Sequence, residues 1–307
     1  MKTSYDVAVI GLGVMGEATL WGLAQKNLRV LGIEARARGH CEGSSYGTSR
    51  IFRRAYWEGE QYIEMLNYAD KRWRSLQALS ATRLIYETGG VFIGPKGSEM
   101  VAGSVDTARR ALLEHTEWSA RQVKNAFPVF SVDSNYHAVF EPGAYAIAAQ
   151  EARSKMLLMA TRQGVELLYD DAVVCIKKQW EGYKVYTRCG RCVTTKSVVV
   201  TAGPWLSRWV PELNSHLLPR RVPVYWFEPR KGMASKFESV KFPVFLYELS
   251  GGGLLYGVPS ISPNEPGVKI GFHNRQQSSC RLGANSEEVS PLLVKEISES
   301  LAGYFQI

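Results

Sequence analysis

No stretch of this sequence is apolar for long enough to cross a bilayer as a helix, so no membrane partner is expected. Lys and Arg outnumber Asp and Glu, 37 to 29, but they form no basic run. The excess reads as solubility and attraction for anionic ligands, and nucleic acid binding has no support. Cysteine is sparse and odd in number, five residues in all. Nothing at the N-terminus resembles a signal peptide, so an intracellular, reducing compartment is expected, cytoplasmic, with a peroxisomal location left open. Cys189-Gly-Arg-Cys192 is a C-x-x-C, but no second cysteine or histidine pair stands by to complete a zinc site, and no metal is expected. It lies between the strand-like runs Tyr183 to Thr187 and Val193 to Thr195, where Gly190 marks a hairpin turn, and a redox role for the pair stays open. Repeats and low-complexity tracts are absent as well. What remains is the composition of a soluble globule long enough for two domains.

The most informative stretch is the opening one, Tyr5 to Ala35. Val7 to Ile10 is a short β-branched apolar run, followed by Gly11, Gly13 and Gly16 in the order G-x-G-x-x-G, a helical stretch, the apolar run Val30 to Ile33, and Glu34. The first glycine allows a tight turn, the second lets backbone approach a pyrophosphate, and the third lets helix lie on strand. The helix behind them presents free N–H groups and a positive dipole end. Glu34 can accept from both ribose hydroxyls of an adenosine, and its charge argues against a 2′-phosphate. The unit does not by itself separate FAD from NAD.

Arg36 to Tyr46 is too polar for a strand and reads as a loop. In Gly43 to Tyr56, GSSYGTSRIFRRAY, Arg50 and Arg53 stand three apart and would share a face if the segment is helical. Two such guanidiniums suit carboxylate recognition through a bidentate fork. A solvated basic patch that includes Arg54 accounts for them equally well. Ile63, Leu66, Trp73, Leu76 and Leu79 mark an amphipathic helix from Tyr62 to Leu79. Leu84 to Gly94 changes period to that of a strand, so a second domain is expected to begin near residue 86. Asp106 to His115, Ser119 to Ala126 and Glu151 to Gln163 read as helices, and Tyr136 to Phe140 as a strand. Val165 to Leu168 follows Gly164 as a strand returning to the nucleotide-binding sheet.

Ser197 to Trp205 reads as a buried strand in which Gly203 would permit close approach to a cofactor, or simply ends the strand. Val222 to Glu228, Val244 to Leu249, Leu254 to Ser260 and Gly267 to Asn274 are further strands, the last two joined by a proline-containing loop. In the last of them Val268, Ile270 and Phe272 face one way and Lys269, Gly271 and His273 the other. A lysine and a histidine flanking a glycine suit a pocket floor, and the wet face of an antiparallel sheet is the plainer alternative. A helix from Val289 to Phe305 closes the chain.

Together the dinucleotide unit, GSSYGTSRIFRRAY, ETGGVFIGPKG, FEPGAY, SVVVTAGPW, LLYGVPS and VKIGFHN resemble, in order, the monomeric sarcosine oxidase, N-methyltryptophan oxidase and pipecolate oxidase family of FAD-dependent amine oxidases. The resemblance implies an α/β fold: a Rossmann-type FAD domain, and a second α+β substrate domain on a mostly antiparallel sheet. The expected limits are 1–85 and 147–217 for the first, and 86–146 and 218–307 for the second. It further implies that Arg50 lies near the flavin, that Arg53 holds the substrate carboxylate, and that Tyr256 and His273 line the amine pocket. Lys269 would sit by flavin N5 and activate oxygen, so Lys269, Arg50, His273 and Tyr256 are the catalytic candidates. The residues expected at the cofactor are Gly11, Gly13, Val14, Met15, Gly16, Glu34, Ala35, Arg36, Ser44, Arg50, Val173, Ala202, Gly203 and Trp205. The implied reaction converts a secondary amino acid to an imine and molecular oxygen to hydrogen peroxide.

Two departures qualify the resemblance. Tyr46 stands where the family has a histidine, and the chain stops just after the helix that precedes the family's last segment. That segment carries the flavin-linking cysteine, and none of Cys41, Cys175, Cys189, Cys192 or Cys280 lies at its place, so FAD is expected to be non-covalent. A truncated inactive isoform acting through a partner is the alternative expectation, with self-association through an exposed sheet edge. An NAD-linked dehydrogenase ranks last, because the lysine strand and arginine segment have no place in it.

Overall fold

A computed structural model describes residues 4–261, 267–279, 282 and 289–305. Cys280 and most of the proline-containing loop expected after Ser260 lie outside the described residues. The elements begin with β1 (Ser4–Ile10), α1 (Val14–Ala24), β2 (Val30–Ile33), β3 (Ser49–Phe52), α2 (Ile63–Ala78), β4 (Ile85–Tyr86), β5 (Gly90–Pro95) and α3 (Glu99–Arg110). There follow β6 (Thr116–Ser119), α4 (Ala120–Ala126), β7 (Tyr136–Glu141), β8 (Tyr145–Ala148), α5 (Ala149–Arg162), β9 (Glu166–Leu168), β10 (Val173–Gln179), β11 (Gly182–Thr187) and β12 (Cys192–Val200). The remainder is β13 (Arg220–Arg221), β14 (Tyr225–Phe227), β15 (Val244–Leu249), β16 (Gly253–Val258), β17 (Val268–Phe272), β18 (Ser278–Ser279) and α6 (Pro291–Ala302).

The chain forms two compact units. The first holds the residues up to Gly47 and Gln150–Pro219, and the second Thr48–Ala149, Arg220–Ser278 and α6. The limit expected near residue 86 from the change of period, and the one expected at 146/147, both fall inside the second unit. The reason is a pairing that periodicity does not report: β3 lies antiparallel on β8, and β4 pairs with β8 as well.

The first unit is built on a six-stranded sheet in the order β10-β11-β12-β1-β2-β9. Its centre is parallel, with β1 between β12 and β2, and β9 rejoins it beside β2. One face packs Val7, Val9 and Val30 against Leu20 of α1 and Leu157 of α5, which is the helix-covered face a parallel sheet requires. The strand expected over Ser197 to Trp205 ends at Val200, and its valines are half-buried rather than buried.

The second unit is built on a seven-stranded sheet in the order β14-β17-β16-β15-β5-β7-β6, antiparallel except where β15 meets β5. One face carries Val268, Ile270, Phe272, Phe245, Tyr247 and Val91, covered by Phe130, Ile297 and Leu301. The other carries Phe92, Val139, Leu246 and Tyr256, covered by Val101 and Val105 of α3. This helix begins seven residues before the expected Asp106, because the side chain of Ser98 accepts the Val101 N–H and caps it. The strand expected over Val222 to Glu228 is reduced to Tyr225–Phe227, and the last helix to Pro291–Ala302.

Candidate cofactor and substrate sites

The glycine turn is as tight as its spacing implies. Gly11 has φ +95°, and a Cβ there would lie 2.6 Å from the Thr201 carbonyl oxygen. A Cβ on Gly16 would strike the Gly11 carbonyl, so helix and strand meet backbone to backbone. Glu34 is buried: one carboxylate oxygen accepts the Leu12 N–H at 2.7 Å and the other the Arg36 N–H at 3.1 Å. Each oxygen keeps lone-pair capacity for a further donor. Val14 opens α1, where its N–H already donates to Ser45 Oγ at 3.0 Å, and Met15 beside it is exposed. Ala35 and Ser44 are exposed, and Arg36 pairs with Glu42 at 2.6 Å. Val173 starts β10. Ala202, Gly203 and Trp205 form the head of a 3₁₀ turn in which Gly203 has φ +52°.

Three residues of this region carry no sequence signal of their own. Arg153 of α5 grips Glu17 of α1 through two hydrogen bonds, Nε to Oε2 at 2.7 Å and Nη2 to Oε1 at 2.9 Å. Its remaining donors reach the carbonyls of Leu12 and Ser45, so one guanidinium fastens α1, the glycine turn and the following loop. Glu17 is buried, and burial pushes its carboxyl pKa up against the opposing pull of Arg153. His40 lies 3.8 Å from Glu34 through Nε2, while its Nδ1 is buried without a hydrogen-bond partner.

In the second unit, Arg50 belongs to strand β3, so the condition under which Arg50 and Arg53 would share a helical face is not met. Pairing with β8 overrides the local spacing. Arg50 Nη1 donates to the Ser49 carbonyl at 2.7 Å, and Lys269 Nζ donates to the same oxygen at 2.9 Å. Lys269 is buried in β17 directly across from Trp226 of β14, with its ammonium 5.8 Å from the indole. Gly271, two residues on, faces Tyr256 of β16; a Cβ there would lie 2.8 Å from Tyr256 Oη, so the missing side chain is what lets the ring lie across the strand. Burial pushes the Tyr256 phenol pKa up, and the charge of Arg50 partly offsets the shift.

Arg53 is buried in an aromatic cage, 4.0 Å above the Tyr56 ring, 4.4 Å from Trp57 and 5.5 Å from Phe92. It donates to the Ala55 carbonyl at 2.9 Å and reaches Glu58 at 3.4 Å. Burial pulls its pKa down and Glu58 works against that, but a guanidinium stays charged. His273 follows β17, anchored by its N–H on the Leu254 carbonyl, and its ring meets the edge of Trp57 at 5.5 Å. Glu141, another residue without an expected role, ends β7 wholly buried and accepts the N–H groups of Arg54 and Ala55 at 2.9 and 3.1 Å. It therefore holds the turn that carries Arg53. Lys269, Arg50, Arg53, Tyr256 and His273 thus all belong to one unit and gather on one face of its main sheet.

The profile of the FAD-dependent oxidoreductase family matches residues 6–306. The chain belongs to that family. It is 30% identical over 275 residues to a monomeric sarcosine oxidase of Streptomyces avermitilis, covering 90% of this chain and 71% of the relative. It is 32% identical over 273 residues to an N-methyl-L-tryptophan oxidase of Yersinia pestis, covering 89% and 71%. Among solved structures, L-proline dehydrogenase from P. horikoshii aligns with a TM-score of 0.80 at 16% identity, over 99% of this chain and 78% of that one. Glycine oxidase from Geobacillus kaustophilus aligns at 0.77 and 18%, over 99% and 79%. These structural likenesses support the expected fold, a Rossmann-type FAD domain with a second sheet domain.

As a member of the FAD-dependent family the chain needs a dinucleotide cradle, and the residues fit one. Backbone is bared at Gly11 and Gly16, Glu34 has acceptor capacity to spare, and His40 has an unsatisfied ring nitrogen at its side. No group of His, Cys, Asp or Glu that could hold a metal occurs among the described residues. Cys189 and Cys192 are exposed free thiols on the β11–β12 turn, where Gly190 has φ +80°. No helix among the described residues is long and apolar enough to cross a membrane.

Proposed function

We propose that the protein oxidises a secondary amino acid to its imine with non-covalently bound FAD and passes the electrons to molecular oxygen, forming hydrogen peroxide. The observation that carries this reading is the convergence of Lys269 and Arg50 on the Ser49 carbonyl, on the sheet face that also bears Arg53 and Tyr256. The names of the relatives, sarcosine oxidase and N-methyl-L-tryptophan oxidase, point to the same substrate class.

When bound, FAD supplies the two-electron acceptor for the C–H bond and the donor to oxygen. Gly11, Gly13, Gly16 and the first N–H groups of α1 would hold its pyrophosphate, and Glu34 with His40 its adenosine end. Arg53 presents a guanidinium fork to the substrate carboxylate, and its aromatic cage keeps that fork in one orientation. The amine binds neutral, since its lone pair forms the C=N bond as the hydride equivalent leaves the adjacent carbon. Tyr256 and His273 line that nitrogen, and a His273 ring nitrogen is the acceptor for its proton. Water then adds to the imine carbon. Lys269 is a fixed cation in a water-poor place, where it stabilises negative charge developing on oxygen. Per turnover one oxygen molecule takes up two electrons and two protons.

The test is the visible spectrum of the purified protein with FAD, recorded under argon before and after addition of sarcosine, N-methyltryptophan or pipecolate. Bleaching followed by peroxide formation on admitting air is the expected result. An oxidised spectrum unchanged by all three amines would end this reading. Acid denaturation of the same sample is expected to release free FAD into the supernatant.

A further inference from the structure

In the steps above Trp57 serves only as one wall of the Arg53 cage, yet it is fastened on three sides. Its ring face lies against the Arg53 guanidinium at 4.4 Å. Its edge meets the His273 ring at 5.5 Å and an interplanar angle of 76°. Its backbone lies against Gly103 of α3, where a Cβ would come within 2.9 Å of the Trp57 carbonyl oxygen. Such an indole cannot swing aside cheaply: moving it strips a stacking surface from a buried cation, and the close approach of Gly103 fixes the backbone from which it springs.

An α-amino acid carries its carboxylate, its amine and its side chain on one carbon. With the carboxylate on Arg53 and the amine at His273 and Tyr256, the third substituent has to pass whatever fills the space between those anchors. Trp57 touches both Arg53 and His273. The relatives do not decide what that third substituent is, since one is named for the smallest N-methyl amino acid and another for one of the bulkiest, at similar identity.

Resting on the proposed substrate roles of Arg53 and His273, we infer that Trp57 is a specificity-determining residue: its indole occupies the side-chain region of the substrate site and restricts the enzyme to compact secondary amino acids. N-methylglycine and small cyclic imino acids fit this limit. An N-methyl amino acid with an aromatic side chain does not, unless the indole is removed.

The experiment compares the FAD-loaded wild type with Trp57→Gly and Trp57→Phe, using sarcosine, pipecolate and N-methyltryptophan. Two readouts are taken for each pair: kcat/KM, and the Kd measured with the bound flavin chemically reduced so that no turnover occurs. The wild type is expected to favour the compact amines over N-methyltryptophan by about tenfold or more in both readouts, the scale a shaped apolar pocket supplies. Trp57→Gly is expected to erase or reverse that ratio, and Trp57→Phe to give an intermediate one even if the glycine variant does not fold. A wild type that handles N-methyltryptophan as well as sarcosine would overturn the inference. So would variants that lose both in equal proportion. Should no amine be oxidised, the oxidase reading fails by itself: the Kd ratio still decides on Trp57, with discrimination relieved by Trp57→Phe upholding it and equal or absent binding refuting it.

Discussion

Lys269 Nζ and Arg50 Nη1 share one acceptor, the carbonyl oxygen of Ser49. The two cations come from strands that belong to different sheets, β17 and β3, yet a single backbone oxygen fixes their spacing. Two like charges held this close raise the local positive potential more than either would alone, and the Trp226 face beside Lys269 helps the ammonium tolerate its burial.

Lys269→Met is therefore expected to slow reoxidation of the reduced flavin by oxygen about 100-fold or more, the scale of removing one fixed electrostatic partner. The anaerobic reduction by amine should change far less. Stopped-flow records of the two half-reactions separate them, and an unaltered reoxidation rate would refute the oxygen role.

Arg153→Met leaves Glu17 buried without its partner, which costs about 3–5 kcal/mol of stability. It also frees the glycine turn and the Ser45 loop, so the Kd for FAD should rise in the same variant. Denaturant unfolding and FAD titration measure the two effects. A loss of stability below about 1 kcal/mol, the range of an exposed ion pair, would show that the pair is not the clamp described.

Glu141 predicts a pH dependence. Burial raises its carboxyl pKa above the ordinary 4.5, so the folded protein holds this proton more tightly than the unfolded chain. The stability it contributes is present below the unfolded value and is withdrawn as pH climbs through the raised one. Glu141→Gln cannot titrate. The stability advantage of wild type over this variant should be largest below pH 4.5 and shrink above it, as read from unfolding curves at a series of pH values. An advantage that grows with pH would contradict the assignment.

Gly271→Ala forces a methyl group to within 2.9 Å of the Tyr256 ring carbon that bears the hydroxyl. The ring has to leave its place, at a cost of about 1–3 kcal/mol typical of overpacking. A raised KM for the amine should accompany the drop in melting temperature. A variant with the wild-type KM would mean that the position of Tyr256 does not matter to the substrate.

What the sequence disclosed was local. The glycine turn and Glu34 could be read because every residue of that unit lies within a few of the next, and the turning of Lys269 away from Val268, Ile270 and Phe272 could be read because alternation along one strand separates neighbours onto two faces. The conformation at Arg50 was left open because it is set by Ser49–Phe52 pairing with Tyr145–Ala148, far along the chain. Glu141 and Arg153 gave no signal for the same reason: their partners, Arg54 and Glu17, stand 87 and 136 residues away. A glutamate closing the mostly apolar run Tyr136 to Phe140 was the one available hint. Trp57 was silent because a tryptophan near an arginine segment looks like any core aromatic until Arg53 and His273 are seen on either side of it.

The seven-stranded sheet has one parallel seam, Gly90–Ile93 against Val244–Tyr247, and the first unit's main segment is inserted between the two halves it joins. During synthesis the β5–β7–β6 half leaves the ribosome first, and one side of β5 has nothing to pair with until Val244 emerges. At about 5–20 residues per second this wait lasts on the order of ten seconds. The nascent chain thus carries an open strand edge while about 150 residues are added, and chaperone supply and growth temperature should govern its soluble yield more than the stability of the finished fold does.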